Sequence, residues 1–155
     1  MRLCVNEQVH ELAVEPDELL VDTLRERLGL TGAKQACGMG NCGTCTVRVD
    51  GATVYACLVL TRECDEHRID TIEGLARGDE LDAVQQAFID ADAFQCGFCT
   101  PGQIMSLRAL LDEVPEPTEE ELVRGMSGNL CRCGAYRHIL DAARRAIAAE
   151  GSHGE

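Results

Sequence analysis

The sequence predicts an α+β protein with a strand-rich first half and a helical second half. Residues 1–14 and 45–57 contain short runs of alternating apolar and polar residues, a pattern typical of half-buried strands. In the second of these runs, Asp50-Gly51 marks a tight hairpin turn. From about residue 78 the apolar residues recur instead at helical spacing.

The first half is expected to contain two hairpins, one helix and a closing strand. The stretch RLCVNEQVHELAV predicts a hairpin that turns near Asn6-Glu7. Residues 18–30, ELLVDTLRERLGL, place their leucines at helical spacing and predict a helix that Gly29 ends. Residues 67–72, HRIDTI, predict the last strand of this half.

The second half predicts four helices. Leu81, Val84 and Phe88 would share the inner face of the first. Thr100 and Gln103 have the spacing of a capping box, so the second helix is expected to begin at Thr100.

Another capping box, Thr118 with Glu121, predicts the start of the third helix, and the fourth is expected from about Tyr136 to Ala149. The residues EGLARG, at 73–78, separate the two patterns. We therefore expect two domains, residues 1–76 and residues 77–155.

The charge and composition exclude several classes of protein. The net charge is −13, with no basic stripe, no Trp and only 3% aromatic residues, which excludes a nucleic-acid-binding protein. No run approaches the ~20 apolar residues of a membrane span. The first residues do not resemble a secretory leader. We expect a cytoplasmic protein, although a partner subunit could carry an export signal.

Eight of the ten cysteines fall into two groups of four. The first group begins C-x4-C-x2-C and adds one later cysteine, which is the plant-type [2Fe–2S] spacing. The second group combines a C-x2-C pair with a C-x-C pair. Group 1 is Cys37, Cys42, Cys45 and Cys57, and group 2 is Cys96, Cys99, Cys131 and Cys133.

Glycines accompany both groups, and the first group lies in the stretch CGMGNCGTC. A [2Fe–2S] cluster with four thiolates is anionic, so it needs backbone N–H groups close to its sulfur atoms. A chain that wraps a cluster so closely needs unusual φ values and no Cβ in the way. Gly38, Gly40 and Gly43 fit this need in group 1, as do Gly97 and Gly134 in group 2.

Other readings of the cysteines stay open on spacing alone. Four thiolates also make a tetrahedral zinc site, and the second group is the less distinctive of the two. Eight buried free thiols are a further reading. Cys4 and Cys64 belong to neither group and are expected to be ordinary small apolar residues. The four histidines are not interleaved with the cysteines as a Rieske site requires.

Four motifs in order resemble the small iron–sulfur subunit of the molybdenum hydroxylases, the relatives of xanthine dehydrogenase, aldehyde oxidoreductase and aerobic carbon monoxide dehydrogenase. They are CGMGNCGTC, the lone Cys57 after a hairpin, FQCGFCTPGQI and MSGNLCRCGAYRHI. The resemblance covers nearly the whole chain. It implies a β-grasp ferredoxin-like [2Fe–2S] domain followed by a helical-bundle [2Fe–2S] domain, which favours two clusters over zinc.

The resemblance also implies a role in electron transfer, without substrate chemistry on this chain. The group 2 cluster would lie next to a molybdenum–pterin cofactor on a large subunit, and Gln95 matches a glutamine that hydrogen-bonds the pterin. The group 1 cluster would lie toward FAD on a medium subunit. Electrons would pass from molybdenum through group 2 and then group 1 to FAD.

The substrate is less defined. FQCGFC and Gly134-Ala135-Tyr136 are similar to the bacterial aldehyde-oxidising branch, whereas Gly38 replaces an acidic residue found in many members. An aldehyde is the expected substrate; purines, N-heterocycles and carbon monoxide are the alternatives within the family. A free-standing electron carrier is the alternative outside it.

Overall fold

The computed structural model describes residues 1–151, and the first half of this range forms a mixed five-stranded sheet. Its order is β2-β1-β5-β3-β4, in which β1 and β5 run parallel and the other neighbours run antiparallel. The predicted α+β class is therefore confirmed. The strands are β1 (Arg2–Val5), β2 (Gln8–Glu11), β3 (Thr46–Val49), β4 (Ala52–Tyr55) and β5 (Arg68–Asp70).

Both predicted hairpins form, and their turns explain why the sequence signals worked. Asn6 and Glu7 have φ values of 49° and 65°, and Asp50 and Gly51 have 49° and 86°. Two successive positive φ values are the mark of the type I′ turn, whose twist matches that of the flanking strands. The turns thus fix the strand register, which pairs Thr46 with Tyr55.

The helix of the first half is shorter than the sequence predicts. A single α-turn, α1 (Leu20–Asp22), runs directly into a π-helical turn over Thr23–Arg27. The predicted range of 18–30 was therefore too long at both ends, although Gly29, with φ 70°, does follow the last turn. Leu20 and Leu24 are buried in the sheet's core.

The second half consists of four helices, as predicted, packed around a core of its own. Each helix contributes a large buried side chain to this core, namely Phe88, Leu107, Leu122 and Ile139 in chain order. Leu81 was wrongly predicted to face inward, because the first helix is capped by Asp82 and leaves Leu81 outside it, 41% exposed. The helices are α2 (Ala83–Asp90), α3 (Thr100–Glu113), α4 (Glu119–Met126) and α5 (Tyr136–Gly151).

The predicted capping box at Thr100 is wrong, although α3 does begin there. Cys99 is the residue that precedes the helix, and no side chain caps its first turn. The Gln103 side chain is instead buried, and its Nε2 donates to the carbonyl of Asn129 at 3.1 Å. The actual partner of Gln103, the Asn129 carbonyl, is distant in sequence, and local spacing cannot indicate such a contact. The box of Thr118 with Glu121 is confirmed.

Two separate buried clusters, one in each half, follow from these elements. Ile72 and Leu75, which follow β5, already pack against the helical cluster. An ion pair between Arg48 and Asp112, with N···O 2.7 Å, joins β3 to α3. Residues 152–155, at the end of the predicted second domain, lie outside the described residues. No helix within residues 1–151 is both long and apolar enough to cross a bilayer.

The Thr118 cap yields a stability prediction. Thr118→Ala removes the hydroxyl that accepts from the Glu121 N–H at 3.3 Å, so the free energy of unfolding should fall by about 1 kcal/mol. Thr118→Ser keeps the acceptor and should stay near the wild-type value. Chemical denaturation followed by circular dichroism measures both, and equal stability of Thr118→Ala and wild type would contradict the assignment.

Candidate metal centres

The loop that carries the first three cysteines of group 1 turns through three glycines in the left-handed region. Gly38, Gly40 and Gly43 have φ values of 62°, 75° and 69°, as the sequence led us to expect. This path aims backbone donors at sulfur. The N–H groups of Met39 and Asn41 donate to Cys37 Sγ at 3.5 Å and 3.4 Å.

The hairpin of β3 and β4 fixes the two buried thiols of group 1. Cys45 immediately precedes β3 and Cys57 lies just beyond β4, and the Ala56 N–H donates to the Cys45 carbonyl at 3.2 Å. The strand register therefore places the two cysteines beside each other. Both are nearly inaccessible to solvent, whereas Cys37 and Cys42 are partly exposed at the rim.

The two environments separate the acidities of these thiols. Hydrogen bonds from the Met39 and Asn41 N–H groups lower the pKa of Cys37 to about 6. Burial raises the pKa of the Cys45 thiol to about 12. Metal coordination deprotonates a cysteine outright, so a bound cation would offset the second effect.

Group 2 is assembled by the two loops that precede α3 and α5. Cys133 Sγ lies 3.5 Å from Cys96 Sγ, across the gap between these loops. The Ala135 N–H donates to Cys131 Sγ at 3.4 Å, and the Cys131 N–H donates to the hydroxyl of Tyr136 at 2.9 Å.

The division into buried and exposed thiols recurs in group 2. Cys99 and Cys131 are buried, and Cys96 and Cys133 are exposed. Burial raises the pKa of Cys99 to about 12, while a hydrogen bond from the Phe98 backbone lowers the pKa of Cys96. Each group therefore has two anchored thiols and two at the surface.

The thiols of both groups also meet in pairs. Cys37 interacts with Cys42 and Cys45 with Cys57 in group 1, and the same holds for the pairs Cys96–Cys133 and Cys99–Cys131 in group 2. A [2Fe–2S] cluster takes four thiolates, two at each iron. The paired arrangement fits that requirement. Within residues 1–151, no three or more His, Cys, Asp or Glu side chains converge on a single metal ion, which agrees with thiols that meet two by two, one pair for each iron.

An orphaned hydroxyl next to group 2 also fits a bound cluster. Thr100 Oγ1 is buried and has no hydrogen-bond partner among the described residues. Thr100 follows Cys99 directly in the chain. A buried hydroxyl without a partner is destabilising by about 1–3 kcal/mol, and the sulfur atoms of a cluster could accept this donor.

The other predicted residues lie apart from these pairs. Cys64 is 1% exposed in the core of the first half, where burial raises the pKa of its thiol to about 11. Cys4 lies on β1. Gln95 is exposed beside Cys96, and within residues 1–151 its amide makes no hydrogen bond.

Sequence reasoning did not single out Asn129, which lies two residues before Cys131. It is 3% exposed, and its side chain bonds to both halves of the molecule. Its position in SGNLCRC, a polar residue flanked by Gly and Leu inside a cysteine motif, was the available signal. That signal does not reveal the partners, because Gly43 and Ser106 are distant in sequence.

Two cluster-binding families match the chain. Residues 4–76 match the 2Fe-2S iron-sulfur cluster binding domain, and residues 71–144 match the [2Fe-2S] binding domain. The small FeS subunit of nicotinate dehydrogenase from Eubacterium barkeri is 45% identical over 95% of this chain and 94% of its own length.

Solved structures agree with these matches. One chain of quinoline 2-oxidoreductase from Pseudomonas putida 86 superimposes with a TM-score of 0.92 at 43% identity, over 100% of this chain and 98% of that one. The aldehyde oxidoreductase from Desulfovibrio desulfuricans superimposes with a TM-score of 0.93 at 42% identity, over 97% of this chain and 17% of that one.

Two consecutive [2Fe–2S]-binding domains, the first built on a sheet and the second on helices, define the class of the protein. The chain belongs to the family of small iron–sulfur subunits of the molybdenum hydroxylases. It is thus the iron–sulfur subunit of an oxidoreductase complex.

The different pKa values of Cys37 and Cys45 predict the order in which the two thiols are chemically modified. In metal-free protein that keeps this fold at neutral pH, iodoacetamide should alkylate Cys37 well before Cys45. The reason is that a pKa of about 6 leaves Cys37 largely as the reactive thiolate, whereas a pKa of about 12 keeps Cys45 protonated. Peptide mass spectrometry after short labelling measures the order, and circular dichroism checks the fold. Equal labelling rates in folded protein would contradict the prediction.

Proposed function

We propose that this chain carries electrons, one at a time, through a heteromeric molybdenum-cofactor hydroxylase. Group 1 and group 2 would each hold one [2Fe–2S] cluster through their four cysteines. A cluster, when bound, supplies reversible one-electron chemistry. The observation that carries the proposal is the pairing of thiols in both groups, with backbone donors aimed at their sulfurs. The division into domains 1–76 and 77–155 belongs to the same proposal, supported by the two separate cores.

Electrons would enter at group 2 and leave at group 1. The chain's part is to keep one pair of thiols in each group anchored and the other pair at the surface. Cys96 and Cys133 are exposed and Cys37 and Cys42 partly so, which gives each group an edge that a partner subunit can approach. The expected neighbours are a molybdenum–pterin cofactor on a large subunit near group 2 and FAD on a medium subunit near group 1.

Exposed apolar side chains support partner docking at both edges. Among residues 1–151, six of the ten exposed large hydrophobic residues lie close in sequence to a grouped cysteine. Such exposure is typical of surfaces that partners cover. The six residues are Met39 and Leu58 near group 1, and Phe94, Phe98, Leu130 and Tyr136 near group 2.

Gln95 is proposed as the chain's contact with the pterin. It stands between the exposed residues Phe94 and Cys96, with its amide unbonded within residues 1–151, so a partner's polar group could meet it.

An aldehyde remains the proposed substrate, resting on FQCGFC and Gly134-Ala135-Tyr136. The relatives named above include enzymes of nicotinate, quinoline and aldehyde at similar identity, so their names do not favour one class. A cytoplasmic location is part of the proposal.

The test uses the native complex, isolated anaerobically through a tag on this chain. Its visible spectrum is recorded before and after adding aldehydes, purines, N-heterocycles or carbon monoxide. Bleaching by one class would support the role and identify the substrate class. A sample that dithionite bleaches but that contains neither molybdenum nor FAD would favour the free-standing carrier. A colourless sample containing zinc would refute the proposal.

A cysteine substitution tests the order of electron flow. Cys96→Ser or Cys131→Ser should block electron flow from substrate to FAD and leave the group 1 cluster visible by EPR, because only group 2 loses a ligand. Cys4→Ser is the control, since Cys4 lies on β1 and belongs to neither group. Normal turnover in either group 2 variant would be incompatible with the proposed order.

A further inference from the structure

Asn129 is a buried polar residue at the junction of the two halves. Its Nδ2 donates to the Gly43 carbonyl at 2.8 Å and to Thr46 Oγ1 at 3.3 Å. Its Oδ1 accepts from Ser106 Oγ at 2.7 Å, and its backbone carbonyl accepts from Gln103 Nε2 at 3.1 Å. The side chain is therefore fixed to the group 1 loop on one side and to α3 on the other.

The next residue makes the contact that matters for the two cysteine groups. The Leu130 N–H donates to the Cys42 carbonyl at 2.8 Å. Leu130 is bonded covalently to Cys131. The backbone of a group 1 cysteine is thus a single hydrogen bond away from the residue that precedes a group 2 cysteine.

One side of this contact is tightly packed, and the other borders a largely apolar cavity. A Cβ placed on Gly102 would lie 2.3 Å from the Gly43 carbonyl oxygen, so the first turn of α3 touches the group 1 loop. A cavity of about 380 Å³ beside it is lined by Cys42, Cys99 and Cys131 among others. Asn129 itself is 3% exposed, and the hydrogen bonds of such a buried side chain are strong and hold their geometry.

We propose that Asn129 is a positioning residue for electron transfer between the two groups. It holds the Leu130–Cys42 hydrogen bond in register, and that bond forms part of the route between the centres. One electron would leave a cluster held by group 2 and arrive at a cluster held by group 1, with no bond broken and no proton moved. The inference rests on the proposed function, because it presupposes a [2Fe–2S] cluster at each group.

The physical reason is that electrons tunnel more readily along covalent and hydrogen bonds than across empty space. If the Leu130 N–H moves away from the Cys42 carbonyl, the hydrogen bond is lost and the electron must cross a through-space gap instead. The neighbouring Tyr55 hydroxyl, which donates to the Gly128 carbonyl at 2.9 Å, bonds neither to Leu130 nor to Cys42 among the described residues.

The test compares three variants of the tagged, cluster-loaded complex. Asn129→Asp keeps the shape and the Ser106 contact but places an oxygen against the Gly43 carbonyl. Gly102→Ala leaves Asn129 intact and forces the loop away, because its Cβ would clash with the same oxygen. Tyr55→Phe is the matched control, since it removes a neighbouring hydrogen bond between the halves without touching the route.

Two readouts separate a role in positioning from general stability. EPR of the fully reduced complex reports the occupancy of both centres and the magnetic coupling between them. Pulsed photoreduction reports the rate of electron transfer from one to the other. We expect both centres at full occupancy in all variants, with altered coupling and a several-fold slower rate in Asn129→Asp and Gly102→Ala, and wild-type values in Tyr55→Phe.

Wild-type rate and coupling in a loaded Asn129→Asp complex would overturn the inference. An equal loss in Tyr55→Phe would overturn it too, since the effect would then belong to domain docking as a whole. If Asn129→Asp does not assemble, Gly102→Ala decides by the same criteria. Failure of the proposed function itself would look different, because wild-type complex would then lack two [2Fe–2S] signals.

Discussion

The requirement to hold thiolate sulfur close to backbone N–H groups shapes the rest of this molecule. A loop that turns its amides inward must adopt positive φ values, which glycine tolerates and residues with a Cβ resist. This is why group 1 begins in a glycine-rich loop, which leads directly into strand β3. A hairpin of fixed register is rigid enough to hold Cys45 and Cys57 while the loop between Cys37 and Cys45 follows the cluster.

Burial and local dipoles act against each other at Cys99. The residue stands at the start of α3, where the helix dipole favours a negative charge by about 0.3–1 kcal/mol. Burial nevertheless prevails and raises the pKa of the thiol to about 12. The protein alone therefore keeps Cys99 protonated. Only a bound cation outweighs the desolvation of the thiolate, so cluster assembly and proton release are coupled at this position.

Local sequence patterns predicted the turns, strands and helices well, whereas contacts between residues far apart in the sequence could not be predicted from such patterns. The dipeptides Asn6-Glu7 and Asp50-Gly51 gave the hairpins because a type I′ turn is a local event. The Thr118 cap was found for the same reason. Gln103 was assigned to the wrong partner because its true partner, the Asn129 carbonyl, is brought near only by the packing of the two halves.

The same distinction applies to the cysteines. Their spacing separated group 1 from group 2 without structural help, since C-x4-C-x2-C is a local pattern. The spacing could not show which thiols meet, because Cys96 and Cys133 come together only when two loops of the helical half converge. Nor could it show that each group would present one buried and one exposed pair.

The close packing of Gly102 against the Gly43 carbonyl limits how the two halves can move relative to each other during turnover. No side chain fits between the two halves at this point, and the Arg48–Asp112 ion pair joins them again further along α3. The halves therefore have no hinge there about which to swing. A chain built in this way keeps its two cysteine groups at a fixed separation, so any opening and closing that accompanies turnover would have to take place outside this junction.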